Sequence, residues 1–260
     1  MVPLIYEENL NYCYFPPSLL GVGNFSTMYM VYVVKKNGST DNSSAIVHSY
    51  NDPRIRLIQN NHNYIGSLNL LLKEAKGKYI ARMDADDRMC PNRLQVQFNY
   101  MESHPKVDIL GSGMQCFGEN EDTCEPYRTG EVGVLEFMEC CAIYHPTVMM
   151  RKASIDAADM AYKQEYIYAE DYGFWAEALA KGLTIANIPD ILLEYRVNPF
   201  QVSKTKRTYL NNCTCGTTLG NTMYVDNCNC YATQPFTPVV TESPTIPAEN
   251  SVRSYWPGMI

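Results

Sequence analysis

Tyr79-Ile80-Ala81-Arg82-Met83-Asp84-Ala85-Asp86-Asp87 is the stretch from which the fold is read. Residues 79–83 have the length and composition of a short strand, and that strand runs directly into three aspartates within four positions. Pro91 then opens a helix carrying Leu94, Phe98 and Met101 on one face, because proline at a first helical position gives up no hydrogen bond. An acidic cluster therefore sits at the carboxyl end of a strand, the edge at which open α/β sheets bind ligands. Mg²⁺ and Mn²⁺ prefer carboxylate oxygens and keep positions open for phosphate, so alternating aspartates there suit a metal and diphosphate site. Taken by themselves, these aspartates read equally well as a solvated acidic turn. An EF-hand loop is disfavoured, since Arg88 and Met89 stand where a further ligand and a glycine are required.

Outward from this stretch, strands and helices alternate. Residues 30–34 form a compact apolar run followed by the turn-forming Lys36-Asn37-Gly38-Ser39-Thr40-Asp41-Asn42, which reads as strand, loop and helix start. Residues 54–59 alternate apolar and polar as another strand, and Ile65, Leu68, Leu72 and Ala75 then recur at helical spacing before Gly77. Further strands are predicted over 107–111 and 147–150, with a helix around 134–141 between them. A helix over 169–179 has Glu170 and Asp171 in its first turn, an apolar stripe of Phe174, Trp175, Ala178 and Leu179, and Gly182 beyond its end. Residues 185–197 return to strand composition. This alternation across 31–203 is the pattern of an α/β layered fold. Over 204–260 the periodicity vanishes into Thr, Asn, Cys and five prolines, an irregular tail.

A chain of 260 residues accommodates one sizeable α/β domain with an appendage. With 46% hydrophobic and 19% charged residues it buries a core, which excludes a wholly disordered protein. The formal charge of -7 gives no general attraction to nucleic acid, so no nucleic-acid partner is expected. No apolar run approaches the roughly 20 residues that cross a bilayer, and residues 1–30 lack the basic start of a signal peptide. The expectation is a cytoplasmic or membrane-peripheral protein without a transmembrane segment. Cys13, Cys90, Cys116, Cys124, Cys140 and Cys141 read as buried free thiols. Cys213-x-Cys215 and Cys228-x-Cys230 leave three states open, namely a zinc site, two disulfides or unpaired thiols.

Glu170 and Asp171 are the second chemical signal. A carboxylate at a helix start can take the proton of an attacking hydroxyl. It can equally be there because the helix dipole favours acids in first turns.

Together these segments resemble the family 2 glycosyltransferases, whose domain has the GT-A fold of the nucleotide-diphospho-sugar transferase superfamily. The resemblance rests on a series of motifs in order: residues 33–43 with Asn37-Gly38-Ser39-Thr40-Asp41; Asn60-Asn61-His62-Asn63 with Gly66 and Asn69; Gly77-Lys78-Tyr79-Ile80 leading into the aspartates; Pro91, Arg93 and Leu94; His145-Pro146-Thr147 with Arg151; and Ala169-Glu170-Asp171-Tyr172 with Trp175. It implies a mixed central sheet with helices on both faces, and hexosyl transfer with inversion in polysaccharide or glycoconjugate synthesis. The donor would be a nucleotide sugar, a UDP-sugar by preference, and the acceptor a glycan, lipid or protein hydroxyl.

By the same resemblance, Asp86 and Asp84 form the DXD motif that coordinates a divalent metal, Mg²⁺ or Mn²⁺. Asn37, Ser39, Asp41, Asn63 and Asp84 contact the donor. Asp171 is the catalytic base, with Glu170 the second candidate. His145 lies on the acceptor side or is a satisfied structural residue, and Trp175 belongs to the core.

The pattern breaks at the start. Residues 1–30 read as an atypical segment without the usual opening strand and Pro-x-Tyr-Asn loop, with a substitute strand expected over 28–34. Losing that strand would expose a sheet edge. Lys36 and Asn37 replace two aspartates that normally precede Gly-Ser, and Asn198 stands where a histidine is common. Two other classes therefore stay open: a catalytically silent relative that binds without turnover, and a truncated gene product. A sugar nucleotidyltransferase lacks support, because no Gly-rich basic phosphate loop occurs near the start.

Overall fold

The computed structural model describes residues 2–7, 30–35, 48–50, 55–60 and 64–199, with 2–7, 30–35 and 59–60 described as backbone. The chain divides into Met1–Cys230 and Tyr231–Ile260, and every described residue lies in the first unit. The loop over 36–42 and the tail from 204 onward, with all four of its paired cysteines, lie outside the described residues.

Among the described residues, ten strands make one mixed sheet. They are β1 (Val2–Glu7), β2 (Met30–Lys35), β3 (Ile55–Asn60), β4 (Tyr79–Asp84), β5 (Arg88–Met89), β6 (Ile109–Gly118), β7 (Thr123–Cys124), β8 (Gly130–Val132), β9 (Met149–Arg151) and β10 (Ile185–Val197). The order is β3-β2-β1-β4-β9-β6-β10-β5, with β7 added to β6 and β8 to β10. β3, β2, β1 and β4 run parallel. β9 is antiparallel to both β4 and β6, while β6 and β10 are parallel again. The helices are α1 (Tyr64–Glu74), α2 (Arg93–Ser103), α3 (Val134–Glu139), α4 (Lys152–Ala157) and α5 (Glu170–Ala180).

The two faces follow from the strand pleat, in which successive side chains point opposite ways. On β4, Ile80 packs with Leu68, Leu72, Phe174 and Trp175. Tyr79, Ala81 and Met83 pack with Leu94 and Met101 of α2. The same alternation assigns Ile109, Met150 and Ile185 to the α1 and α5 layer and Leu110, Met149 and Ala186 to the α2 layer. Trp175 is fully buried, as the apolar stripe predicted.

Helix α2 closes a gap in the sheet. Just before β9 the chain turns through a 3-10 segment, His145–Thr147, outside the β4–β9 ladder. Arg93, fully buried, donates through Nη2 to the carbonyls of Arg82 (2.8 Å) and Val148 (3.3 Å), and Gln97 donates to Thr147 O at 2.8 Å. Burial pushes the Arg93 guanidinium down to about 10.

Three expectations change. An opening strand is present: β1 lies between β2 and β4, with Leu4 opposite Val31 and Tyr6 opposite Asp84. Pro3 obscures it, since proline argues against a central strand, yet here it is only the second strand residue. The strand expected over 28–34 is β2, described from Met30 to Lys35, and no edge is exposed beside β4. β6 extends seven residues beyond the predicted end at 111, through Gly111 and Gly113, residues that weaken a strand signal. Both are demanded by close approach, as a Cβ at Gly111 would overlap Asn187 and Ile143, and one at Gly113 would overlap Ile191. The thiols of Cys90, Cys124, Cys140 and Cys141 are half-buried, and Cys116 alone among those described is buried.

Gly173 fixes how the first turn of α5 is seated, because a Cβ there would overlap the ring of Tyr166. Alanine normally gains about 1 kcal/mol over glycine inside a helix, whereas overpacking costs about 1–3 kcal/mol. Gly173→Ala is therefore expected to lower the unfolding free energy by up to about 2 kcal/mol in urea titration. A gain in stability would show that the Tyr166 ring simply moves aside.

Candidate active site

Alternation along β4 puts Ile80, Arg82 and Asp84 on the face shared with α1 and α5, and it makes Arg82 the exception in an otherwise apolar strand. Arg82 is 4% exposed. It grips both oxygens of Asp84, Nη2 to Oδ1 at 2.5 Å and Nη1 to Oδ2 at 2.6 Å. Its Nη2 also lies 3.5 Å from the hydroxyl of Tyr64, the first residue of α1. Burial opposes the Arg82 charge, but Asp84 and the facing tyrosines raise its pKa above the ordinary arginine value.

Beyond β4 the chain makes a tight turn, with Asp87 N donating to Asp84 O. β10 holds this turn from the other side. The Arg196 backbone N–H donates to Asp87 Oδ1 at 2.9 Å, and Arg196 Nε donates to the Asp86 carbonyl at 2.9 Å. Asp87 is fully buried, and its Oδ2 has no hydrogen-bond partner among the described residues. Its carboxyl is pushed well up by burial and by Asp84. Asp86 is half-buried and raised by the same two causes. Arg196 and Arg88 both lie over the ring of Phe117, at 4.5 and 4.4 Å from its centroid.

Helix α5 brings the second pair of acids. The Glu170 carboxylate Oε2 is buried without a partner among the described residues. Asp171 Oδ1 accepts from Tyr172 N at 2.8 Å. Burial and the adjacent Asp171 push Glu170 up to about 7, and burial raises Asp171, so the two titrate as a pair. Asp171 and Asp86 both feel the charges of Asp84 and Arg82. Two acidic segments more than eighty positions apart thus lie within electrostatic reach of one buried guanidinium.

His145 is buried, with Nε2 2.8 Å from the Tyr162 hydroxyl and its ring edge-on to Trp175. That is the placement of a packed interior side chain, and burial and Arg82 hold its pKa well below the usual histidine value. Tyr162 is clamped by Asn69, which donates to its carbonyl and accepts from its amide at 2.8 and 2.7 Å. Asn37, Ser39, Asp41 and Asn63 lie outside the described residues. Arg82, Tyr64 and Tyr162 were not singled out in the sequence. The one available signal was a basic residue in register with Asp84 two positions away on a strand too apolar to be half-solvated.

The donor set fits a divalent cation of the Mg²⁺ or Mn²⁺ kind. Among the described residues no group of three or more His, Cys, Asp and Glu forms a closed metal cage. Such ions are commonly held by one or two carboxylates with phosphate and water completing the shell. Asp86 offers a half-buried carboxylate beside surplus negative charge, whereas Asp84 is engaged by Arg82.

Residues 29–156 match the sequence model described as Glycosyl transferase family 2. An uncharacterized glycosyltransferase of Haemophilus influenzae is 31% identical over 205 residues, 73% of this chain and 63% of that protein. The UDP-Glc:alpha-D-GlcNAc-diphosphoundecaprenol beta-1,3-glucosyltransferase WfaP of Escherichia coli is 29% identical, covering 67% of this chain and 68% of that protein. Among solved structures, S. aureus TarS 1-349 in complex with UDP-GlcNAc superposes with a TM-score of 0.63 at 20% identity, over 78% of this chain and 60% of that one. The mannosyltransferase PcManGT from Pyrobaculum calidifontis, in complex with GDP-Man and Mn2+, gives 0.54 at 13% identity, over 76% of this chain and 57% of that one. Over residues 29–156 the chain thus matches the family 2 glycosyltransferases, and its fold is GT-A-like. It spans 63%, 59% and 53% of the length of three curated relatives that it matches.

The raised pKa of Glu170 has a consequence for stability. Its folded value, about 7, lies above the ordinary glutamate value of 4.5, so burying the ionised form destabilises the fold fully above pH 7. That cost shrinks as pH falls toward 4.5 and is gone below it, where both states are protonated. Glu170→Gln is expected to raise the unfolding free energy by about 1–2 kcal/mol at pH 8, allowing for partial exposure, and by nothing measurable at pH 4.5. Denaturant titrations at the two pH values decide it, and an equal effect at both would mean the carboxyl is not buried charged.

Proposed function

We propose that this protein transfers a sugar, with inversion, from a nucleotide-diphosphate donor, a UDP-sugar by preference, to a hydroxyl of a glycan, lipid or protein acceptor. What supports this reading is the Arg82–Asp84 pair at the carboxyl end of β4, whose guanidinium also acts electrostatically on Asp86, Glu170 and Asp171. The TarS complexes with UDP and UDP-GlcNAc, and the donor named for WfaP, support the choice of nucleotide.

In this mechanism Asp171 is the general base. Its Oδ1 is held by the Tyr172 amide, so Oδ2 takes the proton as the acceptor oxygen attacks the anomeric carbon. Glu170 lies one residue away and keeps negative charge close to that proton. Asp86 would hold a divalent ion, with Asp84 beside it or against the donor ribose. A bound Mg²⁺ or Mn²⁺ supplies positive charge that stabilises the departing nucleoside diphosphate. Asn37, Ser39, Asp41 and Asn63 complete the donor contacts in this reading, and His145 is the satisfied structural residue, hydrogen-bonded to Tyr162.

Incubation with UDP-Glc, UDP-GlcNAc and UDP-Gal and a mixed glycan and lipid-diphosphate acceptor panel should release UDP in the presence of Mn²⁺ and not after chelation. Asp86→Ala should abolish release, and Asp171→Asn should lower it by about 100-fold or more. The rate should fall on the acid side of an apparent pKa above the ordinary aspartate value, because the base must be ionised. Failure of every donor by a folded chain that still binds UDP would instead identify a binding protein without turnover.

A further inference from the structure

Asp86, the carboxylate proposed to hold a divalent ion, is followed by a peptide bonded at both of its polar ends. That peptide donates its N–H, on Asp87, to Asp84 O at 3.3 Å, and its carbonyl, on Asp86, accepts from Arg196 Nε at 2.9 Å. A peptide unit is planar, so holding it at both ends fixes ψ of Asp86 and with it the direction in which the side chain leaves the turn. Arg196 is itself seated. It stands in register with Phe117 across the parallel β10–β6 pair, where partner residues share a face, and its guanidinium lies 4.5 Å from the ring centroid. The Arg88 guanidinium lies 4.4 Å from the same centroid. Two cations therefore border a place proposed to bind a third. Charge alone makes Arg196 a poor neighbour for a divalent ion, since like charges repel. Its hydrogen bond to the turn has the opposite effect.

We propose that Arg196, seated on the Phe117 ring, is a positioning residue that fixes the direction of the Asp86 side chain. It acts through the Asp86 carbonyl. Phe117 acts one step further back, by keeping the guanidinium flat and aimed at that carbonyl. The inference rests on the proposed transferase reading for the ion that Asp86 would hold, while the state of the turn is readable without any ion.

Three substitutions in the full chain test this: Phe117→Leu, Phe117→Tyr and Arg196→Ala. Phe117→Leu removes the aromatic seat and leaves every charge in place, whereas Phe117→Tyr keeps the ring. Without metal or nucleotide, hydrogen exchange at the Asp87 amide should quicken by about tenfold in Phe117→Leu and Arg196→Ala, and stay within about twofold of the wild type in Phe117→Tyr. Exchange at the Val96 amide of α2, bonded to Asn92 O, should stay unchanged throughout. With saturating UDP, Mn²⁺ affinity read from the paramagnetic resonance of the free ion should fall by about tenfold in Phe117→Leu and Arg196→Ala and be restored in Phe117→Tyr. Tighter Mn²⁺ binding by Arg196→Ala would mean that its charge outweighs its bond to the turn, which overturns the proposal. Unchanged Asp87 exchange in both disruptive variants overturns it as well, as does Val96 exchange quickened to the same degree, the mark of general destabilisation. A wild-type chain that takes up no Mn²⁺ yet gives the expected Asp87 pattern sustains the positioning of Asp86 and sinks only the metal-assisted reading. The Phe117 pair decides the matter even if Arg196→Ala fails to fold.

Discussion

A guanidinium buried in the middle of an apolar sheet is the constraint on which the rest of this structure depends. Moving such a charge out of water costs several kcal/mol unless geometry and hydrogen bonds compensate. The compensation for Arg82 dictates its surroundings: Asp84 must lie on its face of the strand, and Tyr64 must open α1 where its oxygen can accept. Arg93 relieves the strand's carbonyl from the opposite layer without adding a competing anion there. A demand of folding thus assembles the same groups that the proposed reaction uses.

The remaining carboxylates are held at a cost. Asp86, Asp87, Glu170 and Asp171 are all raised above their ordinary pKa, with burial the first cause in each. Buried oxygens of Asp87 and Glu170 go without partners among the described residues. A chain selected only for stability would not keep four such acids in one place. Clusters of shifted titratable groups of this kind mark functional sites, where local strain is tolerated because the surrounding sheet is secure.

Much of this was legible in the sequence, and the exceptions have identifiable causes. β4, β10, α1 and α5 declared themselves through periodicity and caps, β10 over its full predicted span of 185–197. β1 was hidden by Pro3, and the second half of β6 by glycines that exist to admit Asn187 and Ile191. β5, β7 and β8, of two or three residues each, carry no period to detect. Aspartate clusters announce themselves by composition, so both acidic parts of the site were visible. Arg82 was not, because its meaning comes only from the burial of β4 on both sides. The part played by Tyr64 and Tyr162 depends on packing between elements that no local pattern encodes.

The clasp of β10 on the acidic turn carries a lesson about birth as well as function. Arg196 reaches back across 109 and 110 positions to Asp87 and Asp86, and contacts so distant along the chain form late and slowly. A polypeptide emerging amino end first exposes the aspartates long before residues 185–197 have been made. Until then Asp87 has no amide to accept from and no strand to cover it. The cleft is therefore sealed by nearly the last portion of the sheet to leave the ribosome, and a nascent chain stalled short of it would hold every acid proposed for the chemistry while lacking the wall that shapes them.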